Sequence, residues 1–354
     1  MNAIQIREFG LDADPYLYGE SVPDPVCGPD EVMIRVRYGA LNRLDDWVRI
    51  GWPGIGLALP HIPGSDFCGE IVEVGSQVAG WRPGQWVTAN NGIWCSRCVR
   101  CRQGRHNLCD SFGILGESVP GVMAEYAAVP ARNLIEIPAG FDLQAAAAAS
   151  LTYLTAWHSL IEVGRLQPGE QVLVVGAGGG VNVAAQQIAR FRGARVLVLA
   201  SSAAKAARAM EEGADWSLDI SGEPRWPRLV RAASGQGGVD MVVDNVGSAT
   251  FALSMGALVK GGRIVTVGGT SGYDAQIPVN RLFMNHLSLR GSTMGTQADY
   301  ERVMRLVFEG RLRPVVDRVF GARGYGAAIR HLCSGTSYGK VLVDLHDWQE
   351  WADG

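Results

Sequence analysis

Four cysteines within fifteen residues are the most specific chemical signal in the chain. Cys95, Cys98, Cys101 and Cys109 follow a C-x2-C-x2-C-x7-C spacing, which suits one zinc ion held tetrahedrally by four thiolates. Four thiolates complete the coordination and leave no open position for water or substrate. We therefore expect a structural zinc that holds a lobe of about residues 91–112 and takes no part in catalysis.

The same four cysteines allow two other interpretations. Paired disulfides require an oxidising compartment, but residues 1–25 show neither a charged start followed by an apolar run nor a cleavage signal. We therefore predict a cytoplasmic protein with reduced thiols. An iron–sulfur cluster also takes four thiolates, and the family resemblance described below favours zinc over it. His106 lies among the cysteines, but zinc needs no fifth ligand, so we interpret His106 as a loop histidine.

A glycine-rich turn carries the second chemical signal. The segment QVLVVGAGGG indicates a buried strand that runs into this turn, and VNVAAQQIARFRG indicates the helix that follows. Such a turn lets the backbone approach a pyrophosphate, which then faces the N–H groups and the positive dipole end of the helix. The residues predicted to lie against the pyrophosphate are Gly178, Gly179, Gly180 and Val181. Asn182 replaces the third glycine of the usual pattern, so we expect a displaced helix or an extra polar contact.

The residues after the next strand predict the choice of cofactor. NAD-preferring folds place an Asp or Glu there for the ribose hydroxyls, whereas this chain has Ala200, Ser201 and Ser202, followed by Lys205 and Arg208. With two hydroxyls and a cation available for a 2′-phosphate, Ser201, Ser202 and Lys205 favour NADPH over NADH. The alternative is that Lys205 and Arg208 are only the solvated face of a helix.

The elements that position these residues form two patterns. Before about residue 150, short alternating segments separated by Pro/Gly turns indicate a β-rich domain. Strands and helices then alternate to about residue 290, which predicts an α/β fold with a doubly wound parallel sheet. A length of 354 residues suits two domains. The net charge of −3 argues against nucleic acid, and no apolar run is long enough for a membrane span.

At this point the chain resembles the medium-chain dehydrogenase/reductase superfamily of zinc alcohol dehydrogenases and quinone oxidoreductases. The motifs that carry the resemblance are PGSDFCGEIVEVGSQVAGWRPGQWV, the four-cysteine lobe, LTYLTAWHSL, VVGAGGGVNVAAQQIA, VDMVVDNVG and RIVTVGGT. The resemblance implies a GroES-like domain over residues 1–152 and 291–354, a Rossmann domain over residues 153–290, and an active site in the cleft. It also implies nicotinamide and ribose contacts at Asn245, Gly268, Gly269 and Thr270.

The chain departs from the alcohol dehydrogenases at their catalytic zinc. Members of that group hold this metal through a cysteine in C-x-x-D, a histidine in G-H-E and a third ligand ahead of the Rossmann domain. The corresponding residues here are Asn42, Ser65, and Leu151 or Thr152. Zinc prefers thiolate, imidazole or carboxylate ligands, so we expect the catalytic metal to be lost. Asp45, which follows Asn42, is interpreted as a structural carboxylate.

Loss of that metal changes the expected reaction. An alkoxide needs a Lewis acid, whereas an enone, quinone or enoyl thioester spreads its negative charge onto a carbonyl oxygen that hydrogen-bond donors can stabilise. We therefore expect an NADPH-dependent reductase of such small molecules, with Asn42 and Ser65 as donors and Tyr153 as a candidate proton donor. A zinc-dependent alcohol dehydrogenase with unusual ligands and a non-enzymatic NADPH-binding protein stay open as alternatives. The segment RLFMNHLSLRGSTMG predicts a homodimer or homotetramer joined at a sheet edge.

Overall fold

The computed structural model describes residues 1–10, 16–51 and 56–348 and divides the chain into two compact units. The first unit comprises Met1–Leu151 together with the chain from Thr296 onward, and the second comprises Thr152–Gly295. The sequence predicted one domain over residues 1–152 and 291–354 and a second over residues 153–290. These domain limits stay a prediction.

The strands of the described residues are, in chain order, β1 (Ala3–Ile6), β2 (Tyr16–Gly19), β3 (Glu31–Ala40), β4 (Asp66–Val74), β5 (Trp86–Ala89), β6 (Gly92–Ile93), β7 (Gly113–Ile114), β8 (Tyr126–Pro130), β9 (Leu134–Glu136), β10 (Gln171–Val175), β11 (Arg195–Ala200), β12 (Trp216–Asp219), β13 (Val239–Asp244), β14 (Leu258–Thr266), β15 (Ser288–Gly291), β16 (Val316–Gly321) and β17 (Lys340–Asp344). The helices are α1 (Arg43–Ile50), α2 (Val99–Arg102), α3 (Leu143–Trp157), α4 (Gly180–Phe191), α5 (Ala203–Glu211), α6 (Trp226–Ser234), α7 (Phe251–Ala257), α8 (Val279–Met284), α9 (Gln297–Phe308) and α10 (Tyr325–Cys333). A π-helical segment, His158–Val163, follows α3 directly.

The first unit is built on a mainly antiparallel sheet with the strand order β16-β17-β3-β4-β5-β9, and β8 also pairs with β3. Only the pair β16–β17 is parallel within this sheet as described. Side chains alternate across a strand, and β3 directs Val32, Ile34 and Val36 into a core that also contains Phe67 and Val343. This sheet carries the start of β4 and the start of β17, where polar residues are buried.

The second unit is a parallel sheet with the strand order β12-β11-β10-β13-β14-β15. Every residue of β10 is buried, as expected for a central parallel strand whose two faces are both covered. The order reverses between β10 and β13, and ligands of doubly wound sheets bind beside such a switch point, at the carboxyl ends of the strands. The predicted α/β fold class, a Rossmann sheet beside a β-rich GroES-like part, is confirmed.

The edge strand β15 pairs with β14 from Ser288 to Gly291, and the second unit continues to Gly295. The described residues contain no helix that combines the length and the apolar character of a membrane-crossing segment.

Candidate functional site

The four cysteines of the lobe converge on one point. Their Sγ atoms all lie within 4.8 Å of one another, and no other cluster of three or more His, Cys, Asp or Glu side chains in the described ranges could hold a metal ion. Cys98 caps α2 and Cys101 lies on that helix. Backbone N–H groups point at the sulfurs, among them Cys98 N to Cys95 Sγ at 3.3 Å and Cys95 N to Cys109 Sγ at 3.4 Å. Such donors stabilise thiolates.

The close approach of four thiols fits a divalent metal. Hydrogen bonds from the Arg97 and Cys98 backbones lower the pKa of Cys95 to about 6, whereas burial raises the pKa of Cys101 to about 12. Four thiolates this close repel one another, and a zinc ion at their centre removes that repulsion. His106 stands apart from the sulfurs. Its ring stacks on Trp94 with centroids 4.6 Å apart, and its Nδ1 accepts a hydrogen bond from Gln297 N at 3.3 Å.

A buried polar cluster surrounds Asp66 at the start of β4. One carboxylate oxygen of Asp66 accepts from Asn91 Nδ2 at 2.6 Å and from Leu151 N at 2.7 Å. The other oxygen accepts from Asn42 Nδ2 at 3.0 Å and from Lys340 Nζ at 2.8 Å. Asp66 is fully buried, so these four donors replace the water that its charge would otherwise bind.

Asn42, the residue before α1, is oriented by this cluster. Lys340 Nζ donates to Asn42 Oδ1 at 2.6 Å. An ammonium group only donates, so the amide oxygen must face Lys340 and the amide nitrogen must face Asp66. Beyond its bond to Asp66, the one contact of Asn42 Nδ2 among the described residues is a long one of 3.5 Å to the Ala40 carbonyl. One hydrogen of the Asn42 amide is therefore weakly held.

Asp45 lies on the first turn of α1 and is also buried. Its carboxylate accepts from Asn42 N at 2.7 Å. Burial raises the pKa of Asp45 to about 7, although this hydrogen bond and the positive charge of Lys340 act in the opposite direction.

The other predicted catalytic residues have internal hydrogen-bond partners. Ser65 Oγ donates to the Leu115 carbonyl at 2.7 Å. Leu151, at the third ligand position, brings an alkyl side chain and gives its backbone N–H to Asp66. Tyr153 belongs to the second unit, where its hydroxyl donates to Gln187 Oε1 at 2.9 Å and burial raises its pKa well above the usual range. The structure brings Asn42 and Asp66 into contact, with Ser65 next in sequence to Asp66.

The glycine-rich turn joins β10 to α4. Gly176 adopts a φ of 95°, which favours glycine, and α4 begins at Gly180 after Gly179. Asn182 donates through Nδ2 to the Val175 and Gly176 carbonyls at 3.0 and 2.7 Å. The residue that replaces the third glycine thus makes polar contacts with the backbone of the turn itself.

The remaining predicted cofactor residues follow the carboxyl ends of neighbouring parallel strands. The residues at this edge of the sheet are Gly178, Gly179, Gly180 and Val181 after β10, Ser201 and Ser202 after β11, Asn245 after β13, and Gly268, Gly269 and Thr270 after β14. Lys205 lies on the first turn of α5, and Ser202 Oγ accepts from its backbone N–H at 3.3 Å. Arg208 pairs with Glu211 and Glu212, as expected for a solvated helix face.

Two residues of these sites were not identified from the sequence. Lys340 lies 298 positions from Asn42, and no local motif marked it. Asp219 ends β12 opposite Ala200 of β11, and hydrogen bonds from Ser221 and from the Ala203 backbone lower its pKa. A carboxylate therefore lies at the start of α5, at the end of the strand next to β11, whereas NAD-preferring folds carry their acidic residue at the end of the second strand itself. The signal in the sequence is the aspartate that ends the segment WSLD.

Two protein-family models match the chain. Residues 28–139 match the alcohol dehydrogenase GroES-like domain, and residues 180–309 match the zinc-binding dehydrogenase family. The acryloyl-coenzyme A reductase of Sulfurisphaera tokodaii is 30% identical over 325 residues, which cover 92% of this chain and 95% of that protein. The NAD-dependent alcohol dehydrogenase of Saccharolobus solfataricus is 29% identical over 320 residues, which cover 90% and 89%.

A solved structure described as an NAD-dependent alcohol dehydrogenase superposes with a TM-score of 0.93. It is 40% identical, and the match covers 97% of this chain and 99% of that one. The names of these similar proteins divide between reduction of an unsaturated acyl thioester and oxidation of alcohols.

Proposed function

Because the chain belongs to the medium-chain dehydrogenase/reductase superfamily of oxidoreductases, we propose that it reduces an activated carbon–carbon double bond or a quinone without a catalytic metal. The substrate class is an enone, a quinone or an enoyl thioester. The observation that carries the proposal is the set of side chains at the three zinc-ligand positions of the alcohol dehydrogenases: the amide of Asn42, the hydroxyl of Ser65, and Leu151 or Thr152 at the third position.

The contacts of Asn42 argue against a zinc ligand there. Zinc prefers thiolate, imidazole and carboxylate, and the Asn42 oxygen already accepts from Lys340 at 2.6 Å. Oxidation of a simple alcohol would therefore lack the Lewis acid that stabilises an alkoxide, an effect of several kcal/mol. A conjugated acceptor needs only hydrogen-bond donors at its carbonyl oxygen.

The sheet edge of the second unit is the proposed site of a nicotinamide dinucleotide. Its strand order and the glycine-rich turn before α4 fit a pyrophosphate, because the N-terminal N–H groups of that helix face the turn. A bound cofactor would supply a hydride to the electron-poor carbon. The negative charge would be carried by the carbonyl oxygen. A proton from water or a side chain would complete the reduction, at the neighbouring carbon of an enone or enoyl thioester and at oxygen in a quinone.

Asn42 is the first candidate to stabilise that oxygen, since in the part of the chain that the structure describes one of its amide hydrogens makes only a 3.5 Å contact. Ser65 and Tyr153 complete the proposed catalytic set. Each must exchange its present acceptor, the Leu115 carbonyl or Gln187 Oε1, for the substrate. Burial raises the pKa of Tyr153 well above its usual range, so the hydroxyl keeps its proton at neutral pH and can donate a hydrogen bond. The same rise opposes transfer of that proton, so Tyr153 can act as the proton donor only if contact with the substrate lowers this pKa.

We propose NADPH as the preferred cofactor, held at its 2′-phosphate by Ser201, Ser202 and Lys205, and one structural zinc held by the four cysteines. The absence of a carboxylate directly after β11 supports NADPH, whereas Asp219 at the start of α5 opposes it. Reduced thiols suit a cytoplasmic setting. We also propose assembly as a homodimer or homotetramer, because α8 exposes apolar side chains close in sequence to the edge strand β15.

Zinc-dependent alcohol oxidation is the second candidate, and it is favoured by the alcohol dehydrogenases among the similar proteins. Both candidates are tested by a screen of NADPH and NADH oxidation against enones, quinones and enoyl thioesters, with alcohols and the oxidised cofactors in parallel. We expect turnover with an enoyl thioester or another activated acceptor. Turnover with alcohols alone would favour the second candidate, and tight NADPH binding without any turnover would favour a binding protein.

A further inference from the structure

We propose that Lys340 is a positioning residue for this reaction: its buried ammonium group orients Asn42 and offsets the negative charge of Asp66, in place of the positive charge that a catalytic zinc would bring. This inference rests on the proposed function, since it concerns stabilisation of the substrate oxygen. Lys340 begins β17 in the last part of the chain, and nothing near it in sequence suggests a role in catalysis.

The first step is the orientation of the Asn42 amide. Lys340 Nζ lies 2.6 Å from Asn42 Oδ1 and 2.8 Å from Asp66 Oδ2, and Asp66 in turn lies 3.0 Å from Asn42 Nδ2. The three groups form a closed triangle in which a donor meets an acceptor on each side. A flipped amide would place its N–H against the ammonium, which cannot accept. Lys340 therefore fixes which end of Asn42 is available to a substrate oxygen.

The second step is charge. The side chains of Lys340 and Asp66 are 4% and 0% exposed, so water screens neither of them. Without Lys340 the Asp66 carboxylate would leave a net negative charge beside Asn42 and oppose the negative charge that develops on the substrate. Lys340 also polarises the Asn42 carbonyl, which strengthens its N–H groups as donors.

The third step is the choice of cation. The chain has three lysines, at 205, 260 and 340, among 32 basic residues, and Lys340 is the one of the three that is buried. A compact ammonium donates to two acceptors at a single point, whereas the planar fork of arginine is better suited to one carboxylate. A buried ion pair is weak evidence for stability, so a role in positioning is a physical reason for this pair.

A set of variants separates positioning from folding. Lys340→Met alone leaves Asp66 buried without its partner and is expected to destabilise the fold, so Asp66→Asn and the double variant Asp66→Asn/Lys340→Met are compared instead. Both lack the carboxylate at position 66 and differ only in the lysine. Asp66→Asn leaves the Lys340 charge buried without its partner, so we expect the double variant to melt at or above Asp66→Asn. It should nevertheless show a kcat lower by about 10-fold or more, with the KM for the cofactor little changed. Lys260→Met, at an exposed lysine, is the matched control.

A double-mutant cycle tests whether Lys340 acts through Asn42. In an Asn42→Ala, Asp66→Asn background, Lys340→Met should cost no further kcat, because the amide that it orients is absent. An equal kcat for Asp66→Asn and the double variant would overturn the inference. A change confined to the KM for the cofactor would also overturn it, because it would assign Lys340 to cofactor binding. If the wild type oxidises alcohols only, the proposed function fails, and the same cycle on alcohol turnover still decides whether Lys340 acts through Asn42.

Discussion

Asn245 donates a hydrogen bond of 2.9 Å to Asn182 and so links the end of β13 to the first turn of α4. Asn182 also holds the Val175 and Gly176 carbonyls, and Asn245 Oδ1 accepts from Val267 N at 2.9 Å. The two amides thus connect the ends of β10, β13 and β14. They stabilise the edge of the sheet where we propose that the dinucleotide binds.

Asn182→Ala is therefore expected to weaken the binding of NADPH and NADH by a similar factor. Loss of these hydrogen bonds loosens the turn that both cofactors share, at about 1–2 kcal/mol or roughly 5- to 30-fold in Kd. Titration calorimetry with Asn182→Ala, Asn245→Ala and the double variant measures the effect. The double variant should fall short of the sum of the two single losses. Unchanged affinity, or simple additivity, would show that the pair does not position the turn.

The preference between NADPH and NADH tests the roles of Lys205, which lies on α5, and of Asp219, which ends β12. Lys205→Ala should weaken NADPH binding by about 1–3 kcal/mol and leave NADH nearly unaffected, because only NADPH carries the 2′-phosphate. Asp219→Asn should act in the opposite direction and raise the preference for NADPH, since it removes a negative charge from the start of the helix. The ratio of kcat/KM for the two cofactors measures both effects, with Arg208→Ala as control. An equal loss for both cofactors in Lys205→Ala would place this lysine in the fold only.

The proposed assembly rests on the exposed apolar side chains of α8. Val279, Phe283 and Met284 are each 65% exposed, and such a surface beside an edge strand would favour pairing between copies. We expect at least a dimer in light scattering at micromolar concentration, and Phe283→Asp should shift it toward monomer. Met210→Lys, at an exposed methionine elsewhere, should change nothing. A monomeric wild type would refute the assembly.

The free energy of unfolding should decrease as the pH rises, because Asp45 loses its proton in the folded protein only near neutral pH. Its folded pKa is raised to about 7, so the folded chain binds a proton that the unfolded chain has already released between about pH 4 and 7. Stability from this group is present at low pH and is lost as pH rises toward 7. Asp45→Asn should flatten the decrease in urea-unfolding free energy across this range, whereas Asp110→Asn, at an exposed residue, should not. An identical slope in Asp45→Asn would contradict the raised pKa.

The sequence predicted the fold class because its signals are local. Strand–turn–helix periodicity identified β10, the glycine-rich turn and α4, and cysteine spacing identified a cluster whose sulfurs lie within 4.8 Å. The edge strand β15 is short and half-buried and lacks the apolar run of a central strand, so periodicity marks it less clearly than β10.

The site was predicted only in part, because its decisive contacts join distant parts of the chain. Asn42 and Ser65 were identified by position, but their hydrogen-bond partners depend on how β17 and the segment around Leu115 fold back on them. No periodicity or motif marks Lys340 as the partner of Asp66. Asp219 was missed for a similar reason, since parallel pairing and not sequence proximity places it opposite Ala200.

Metal content measured together with activity tests the central claim most directly. The protein would be assayed for NADPH-dependent reduction of an enoyl thioester before and after a chelator that spares the four-thiolate site, with zinc determined on the same samples. We predict one zinc per chain and an unchanged rate, because Asn42, Ser65, and Leu151 or Thr152 offer no ligand set for a second metal. Two zinc ions per chain, with loss of one abolishing turnover, would contradict a reaction without a catalytic metal.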